Sequence, residues 1–297
     1  MQTIATINFK GGVGKTTITW LLARYVASLG QRVLVVDIDP QMSLTLAVQL
    51  EEDGRLERRF EKWYNDRHLQ LRRTMVDALA QYKIRCNGHL DFPVDNNFIY
   101  THSNNLHLIP SVVDLYWLEL EYKCVNNFIR ALLNRIDQYT QYDYVFFDCP
   151  PSFTPLSYSV LSRTDIILIP VNPDVFAARG VKIMLEGFQH RLQPWHNPKI
   201  AVFMNKVRLF RDHLTKEASG YWAHVRAICY HQQHRGLSVR PLASYIPQRT
   251  DIKRAIARGN FPTEYTQLFI NLWNELMRYC NEPEQVTQDS FQVTSNI

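Results

Sequence analysis

Residues Ile4 to Gly30 read IATINFKGGVGKTTITWLLARYVASLG, and their pattern decides the fold. Ile4 to Ile7 is an apolar run long enough for one buried strand. A glycine-rich turn follows, Lys10-Gly11-Gly12-Val13-Gly14-Lys15-Thr16-Thr17, and then Leu21, Leu22, Tyr25 and Val26 recur at helical spacing. Strand, glycine turn and helix are the setting of a phosphate-binding loop. Glycine reaches backbone conformations that other residues resist, so successive N–H groups can turn inward around phosphate oxygens. The helix behind the turn adds the partial positive charge of its N-terminus. In such a loop Lys15 reaches the β- and γ-phosphates, and the Thr16 hydroxyl ligates Mg²⁺. Two positions depart from the general pattern. Phe9 stands where a glycine is usual, and a second lysine, Lys10, occupies a free position.

A chain of 297 residues can bury one large core, and 46% hydrophobic with 21% charged residues is ordinary globular composition. Five cysteines form no CxxC pair, which suits a reducing compartment. No signal-peptide pattern precedes the first strand, and no apolar run approaches the roughly 18 residues of a membrane span. The expectation is a cytoplasmic protein without membrane contact. The charge is uneven. Residues 199–258 hold twelve Lys/Arg against three acids, a net +9 where the whole chain carries +5, and this points to a polyanionic partner.

Further along, Gly30 ends the first helix and Arg32 to Val36 reads as a fully buried strand. It closes on Asp37-Ile38-Asp39-Pro40. Carboxylates at the carboxyl end of such a strand face the crevice where open α/β sheets bind ligands, so Asp39 is the candidate for orienting an attacking water. Ser43 to Leu50 starts a short helix. Residues 51–100 are dense in mixed charge, with Leu56, Phe60 and Trp63 at helical spacing, and are expected to be a helical or loop insertion on the surface. Asn96 to Asn105 reads as a loop, Leu106 to Pro110 as a strand, and Leu115 to Tyr139 as a long amphipathic helix.

Tyr142 to Phe147 is another buried strand and ends on Asp148, a carboxylate placed to hold Mg²⁺ through water. Cys149 reads as a small packing residue. Asp165 to Pro170 and Lys199 to Met204 add two strands, with a helix over Ala177 to Leu192 between them. Asn205 follows at a strand end, where its amide can meet an adenine edge. Residues 207–237 look helical and basic, Leu242 to Ile246 is a last strand before Pro247, and Tyr265 to Met277 is a final helix. The expected fold class is α/β, a doubly wound and mostly parallel sheet flanked by helices in a single P-loop domain over residues 1–281. Residues 282–297 form a polar tail with the composition of a disordered segment.

KGGVGKTT after the first strand, VVDIDPQ after the second and FFDCPPS later resemble the ParA/MinD group of deviant Walker A ATPases, and the ParA/Soj-like partitioning branch in particular. The resemblance covers residues 1 to 280. It implies an ATP- and Mg²⁺-dependent ATPase that closes into a homodimer around ATP. By it, Lys10 crosses the dimer interface to the partner's phosphates and Lys15 and Thr16 bind phosphate and Mg²⁺. Thr17 meets the α-phosphate, and Gly11, Gly12, Val13 and Gly14 cradle the phosphates. Asp39 orients water and is a second candidate for Mg²⁺ through water. Asp148 is the Walker B aspartate, and Asn205 and Pro247 hold the adenine. A lysine supplied in trans makes hydrolysis depend on dimerisation.

The branches of the group differ in partner. The end EPEQVTQDSFQVTSNI has no basic residue and no apolar stripe, which argues against a MinD-like membrane helix. Cys86, Cys124 and Cys149 lack the context of an iron–sulfur reductase. ParA-like members bind non-specific DNA, which the +9 segment suits. Residues 246–259 sit where that family has DNA-contacting basic residues, and Arg249, Lys253, Arg254 and Arg258 are the candidates, although Asp251 falls where a basic residue is expected. The resulting expectation is a nucleoid-associated partitioning ATPase that moves a plasmid or chromosome, with hydrolysis stimulated by a ParB-like or cargo-adaptor protein. The alternatives are the same machine positioning a protein cargo such as carboxysomes, a MinD-like regulator, and an ATP-consuming small-molecule enzyme of the dethiobiotin-synthetase type.

Overall fold

The computed structural model describes residues 1–53, 73–85, 90–116, 125–192, 197–252 and 263–282. β1 (Gln2–Thr6) leads through the glycine turn into α1 (Lys15–Ser28). β2 (Val33–Asp37), α2 (Ser43–Asp53), α3 (Met75–Arg85), β3 (Tyr100–Ser103) and β4 (Leu106–Ile109) follow. A 3-10 turn at Val125–Asn127 opens α4 (Phe128–Asp137), and β5 (Tyr144–Asp148), α5 (Pro155–Leu161), β6 (Ile166–Val171) and α6 (Ala177–Arg191) come next. The last elements are β7 (Lys199–Val207), the two strands of a small hairpin, β8 (Leu209–Phe210) and β9 (His213–Leu214), α7 (Lys216–His234), β10 (Val239–Pro247) and α8 (Thr266–Asn281).

Eight strands form one sheet in the order β10-β7-β6-β1-β5-β2-β4-β3. All neighbours run parallel except the edge strand β3, which is antiparallel to β4. From β1 the chain crosses to β2 and out to β3 and β4, returns to β5 between β1 and β2, and then runs out through β6, β7 and β10 on the other side, the doubly wound arrangement in which ligands bind beyond the carboxyl ends of the central strands. Every residue of β2 and of β6 is buried. Alternate side chains serve opposite faces: Val33 and Val35 belong to the core shared with α1, α2 and α8, and Leu34 and Val36 to the core shared with α3 to α7. Both faces are covered, so these strands appear in sequence as unbroken apolar runs.

Several elements differ from the sequence expectations. Residues 75–85 and 90–99 are not a surface insertion: Met75, Ala78, Leu79, Tyr82, Leu90, Phe92 and Phe98 are all buried in the main core. The proposed helix around Leu56, Phe60 and Trp63 lies outside the described residues, as do Cys86, Cys124 and the tail 283–297. The expected loop 96–105 contains β3, whose alternating exposure fits an edge strand. Of the long helix expected from Leu115, the described residues show helix at Leu115–Tyr116 and again in α4, with a 3-10 turn at Val125–Asn127 before α4 and residues 117–124 not described. The expected helix from 207 begins only at Lys216, because β7 runs to Val207 and the β8–β9 hairpin intervenes. Arg211 and Asp212 at its tip both have positive φ, 49° and 61°, the conformation a two-residue hairpin turn requires.

β10 is the other edge of the sheet. Its register against β7 slips between Pro241 and Tyr245. Across the slip, Glu275 on α8 accepts hydrogen bonds from the backbone N–H groups of Ala243 at 2.6 Å and Ser244 at 2.8 Å. No helix among the described residues is long and apolar enough to cross a membrane.

Candidate phosphate-binding site

The glycine turn leaves the carboxyl end of β1 and enters α1 with Gly12 at φ 73° and Gly14 at φ 93°. Gly14 is the N-cap of α1, no side chain caps the helix, and its first turn contains no acid. The free N–H groups and the helix dipole are therefore both available to an anion. A Cβ on Gly14 would come within 2.4 Å of Asn205 Nδ2, so glycine is required there for space as well as for φ. Phe9, in place of the usual glycine, meets Phe153 edge-on with ring centroids 6.1 Å apart. It thereby packs the turn against the loop that follows β5.

Lys15 is buried beside Asp39 and Asp148. Burial pulls its pKa below the usual lysine value, and the charges of Asp148 and Asp39 oppose that shift. Asp148 is the register partner of Thr6 on β1 and of Asp37 on β2, which puts it against the turn. Its carboxylate is fully buried. Thr19 donates to Oδ1 at 3.4 Å, and Oδ2 has no hydrogen-bond partner. Burial, and then the charge of Asp37, push the Asp148 carboxyl well above the usual carboxylate range, while the Thr16 hydroxyl and Lys15 act in the opposite direction. An orphaned carboxylate oxygen beside a threonine hydroxyl fits a hydrated divalent cation, whose charge would remove the penalty. Among the described residues no cluster of three His, Cys, Asp or Glu is arranged to hold a metal. A cation here would depend on Thr16, on Asp148 through water, and on the bound substrate.

The two aspartates after β2 have separate tasks. Asp37 Oδ2 accepts from Thr45 N at 2.8 Å and Thr45 Oγ1 at 2.7 Å, and Asp37 Oδ1 accepts from Asp39 N at 3.0 Å. Thr45 Oγ1 in turn accepts from Ser111 N at 2.9 Å. Asp37 thus ties β2 to the start of α2 and to the end of β4, and burial raises its pKa to about 7. Asp39 keeps one oxygen on Gln41 N at 2.9 Å and lies beside Lys15.

Lys10 is exposed at the rim of the site. Its backbone N–H donates to Asn8 Oδ1 at 2.9 Å, Asn8 Nδ2 donates to Pro170 O at 2.8 Å, and the Lys10 ammonium pairs with Asp174. Asn205 is buried and donates from Nδ2 to Val13 O at 2.7 Å, and Lys206 Nζ bonds Gly12 O. Asn205 therefore braces the turn through the amide group expected to face adenine. Pro247, which ends β10, pairs in register with Val207 two residues beyond Asn205, and Gln248 N donates to Val207 O at 2.8 Å. A cleft of about 490 Å³ opens alongside, lined among others by Asn172, Asp174, Lys206, Arg208, Tyr221 and Gln248.

The structure thus gathers the turn with Asp39, Asp148 and Asn205. Of the described basic segment, Lys206 and Arg208 lie beside the turn and its cleft, and other members lie apart from them. Lys199 and Arg240 start their strands at the opposite end of the sheet, where Arg240 is held by Glu282 in a two-point ion pair. Arg249 lies near the hairpin, 3.8 Å from Asp212, and Lys253, Arg254 and Arg258 lie outside the described residues. Sequence reasoning missed Asn8, Thr19 and Asp174. Asp174 was within reach: it follows a buried parallel strand closely, as Asp39 and Asp148 do. Asn8 carries no such signal, because only its fold neighbour Pro170 gives it a role.

A family model described as an AAA domain matches residues 1–202. The chain spans 56% of the length of the first curated relatives it matches, two uncharacterized Mycobacterium tuberculosis proteins with 30% identity over 207 residues, 68% of this chain. It is 31% identical over 227 residues to the chromosome-partitioning ATPase Soj of Thermus thermophilus, covering 76% of each. Among solved structures, an ATP complex of a Cyanothece McdA variant superposes with a TM-score of 0.70 over 96% of this chain and 98% of that one, at 20% identity. The pNOB8 ParA bound to nonspecific DNA superposes at 0.66 over 94% and 98%, at 23% identity. At such identities the two superpositions speak for the fold.

Proposed function

The chain belongs to the AAA-domain family of ParA/MinD-type P-loop ATPases, and from that premise we propose that it hydrolyses ATP as a nucleotide-closed homodimer and uses the cycle for DNA partitioning. The observation that carries the reading is the meeting of the glycine turn, Lys15, Asp39 and the unpaired Asp148 oxygen at the carboxyl ends of β1, β2 and β5. ATP is the substrate, held by the N–H groups of Gly11 to Thr17. Mg²⁺, on Thr16 and through water on Asp148, would offset charge on the phosphate oxygens. Asp39 orients the water that attacks the γ-phosphorus, and the bond to the bridging β–γ oxygen breaks to give ADP and phosphate. Lys15 and the partner subunit's Lys10 stabilise charge that develops on the transferring group. Asn205 and Pro247 border the adenine.

The partitioning role is favoured by the name of the Thermus Soj relative, and the pNOB8 ParA complex supports nonspecific DNA as a partner. Arg249, with Lys253, Arg254 and Arg258, supplies the phosphate contacts, and a ParB-like or cargo-adaptor protein stimulates turnover. These are the properties of a cytoplasmic protein carried on the nucleoid. The deciding experiment compares binding to random duplex DNA with ATP and with ADP across a salt titration. Salt-sensitive affinity confined to the ATP form supports the reading, and equal or absent binding in both forms refutes its DNA arm. An Asp39→Ala variant is expected to bind ATP and DNA without turning over.

A further inference from the structure

Asp174 is fixed from its own side of the site. Its Oδ1 accepts from Phe176 N at 3.1 Å and its backbone O accepts from Ala177 N at 3.0 Å, at the start of α6. This leaves Oδ2 pointing at Lys10, with which it pairs. The backbone of Lys10 is held to the same connection, because Asn8 bridges Lys10 N to Pro170 O at the end of β6. Main chain and side chain of Lys10 are thus both referred to the turn between β6 and α6, more than 160 residues away. We propose that Asp174 is a positioning residue that holds Lys10 within its own subunit and so sets how readily that lysine is offered to a second copy of the chain. The inference rests on the trans role of Lys10 proposed above.

Lys10 cannot keep this ion pair and reach a partner's phosphates at once, so the pair competes with dimer closure. Both side chains are more than a third exposed, and exposed pairs shift equilibria only a few fold. The device tunes the association and does not block it.

The test is an Asp174→Asn variant, in which the retained Oδ1 still caps Phe176 N and removes only the charge facing Lys10. Turnover per subunit is measured against protein concentration at saturating Mg-ATP and without DNA. The midpoint is expected to move about two- to fivefold towards lower concentration. Asp174→Glu should restore the wild-type midpoint. Dimerisation with ATP, followed by sedimentation, should show no difference between Lys10→Ala and Lys10→Ala/Asp174→Asn. An unchanged midpoint in Asp174→Asn, or a shift that persists in the Lys10→Ala background, overturns the proposal. If instead Lys10→Ala alone hydrolyses ATP at the wild-type rate, the trans role itself fails, which is a separate result.

Discussion

The two ends of the sheet treat charge differently. At the amino ends the carboxylates that meet the strands are held by the fold. Asp165 Oδ2 accepts from Thr3 N at 2.7 Å and Thr3 Oγ1 at 2.8 Å, Asp143 accepts from Arg32 N at 2.8 Å, and Arg240 is held by Glu282. At the carboxyl ends Asp148 buries an oxygen with no partner, Asp37 titrates near 7, and Lys15 is desolvated. Identical side-chain chemistry therefore serves stability at one end and leaves electrostatic demand at the other. A ligand of the right charge can meet that demand.

The sharpest way to break this contrast is at Lys15 and Asp39. Lys15→Ala is expected to lower ATP turnover about 10²- to 10³-fold, the scale seen when one transition-state donor is removed. Asp39→Ala should match it while still forming a dimer with ATP, as judged by sedimentation. A loss of less than tenfold in Lys15→Ala would remove the lysine from the chemistry.

Asp148→Asn separates the two demands. It should abolish Mg²⁺-dependent turnover yet raise the melting temperature measured without Mg²⁺, because it removes a buried charge with an unpaired oxygen. A lower melting temperature would mean that the carboxylate is already satisfied by the fold.

At the amino ends the signs reverse. Asp165→Ala leaves Thr3 N without its acceptor, while Thr3 Oγ1 keeps Arg163 O at 3.0 Å, and is expected to cost about 1–3 kcal/mol in a urea unfolding titration. Turnover per folded molecule should not change.

The smallest effect concerns His107, whose Nδ1 lies 2.7 Å from the Tyr142 hydroxyl. Burial, and then the charge of Arg32, hold its pKa below the usual histidine value. The unfolded chain therefore takes up this proton first as pH falls, and stability declines as pH drops through about 6.5. In His107→Gln that part of the decline should disappear from melting curves recorded between pH 7 and 5.

The glycine turn and most of the parallel strands were legible because their signals are local. A strand buried on both faces must be apolar throughout, and a phosphate turn must have glycines at Gly12 and Gly14. Asp39 and Asp148 were legible by position, as carboxylates that close buried strands. What could not be read lies in pairs of distant residues. Lys10 carries no mark of Asp174, and Glu275 looks like any helix glutamate until the slip in β10 presents two amides to it. The β8–β9 hairpin was taken for helix because its strands are two residues long, too short to show any periodicity. Residues 75–85 and 90–99 looked like surface because their apolar side chains are scattered among polar ones, and only the fold shows that they face one way. The +9 count of residues 199–258 does not mark one place in the described fold, since β7 alone carries Lys199 and Lys206 to opposite ends of the sheet.

The slip in β10 also bears on how copies of the chain can meet. An exposed sheet edge invites another strand to add to it. At one edge, Pro241 supplies no N–H, and the amides of Ala243 and Ser244 are taken by Glu275. At the other edge, β3 is four residues long and irregular in its pairing with β4. Among the described residues, the irregular pairing of both borders breaks any straight run of edge backbone groups. Two copies brought close together are thereby not drawn to zip edge to edge into a continuous sheet.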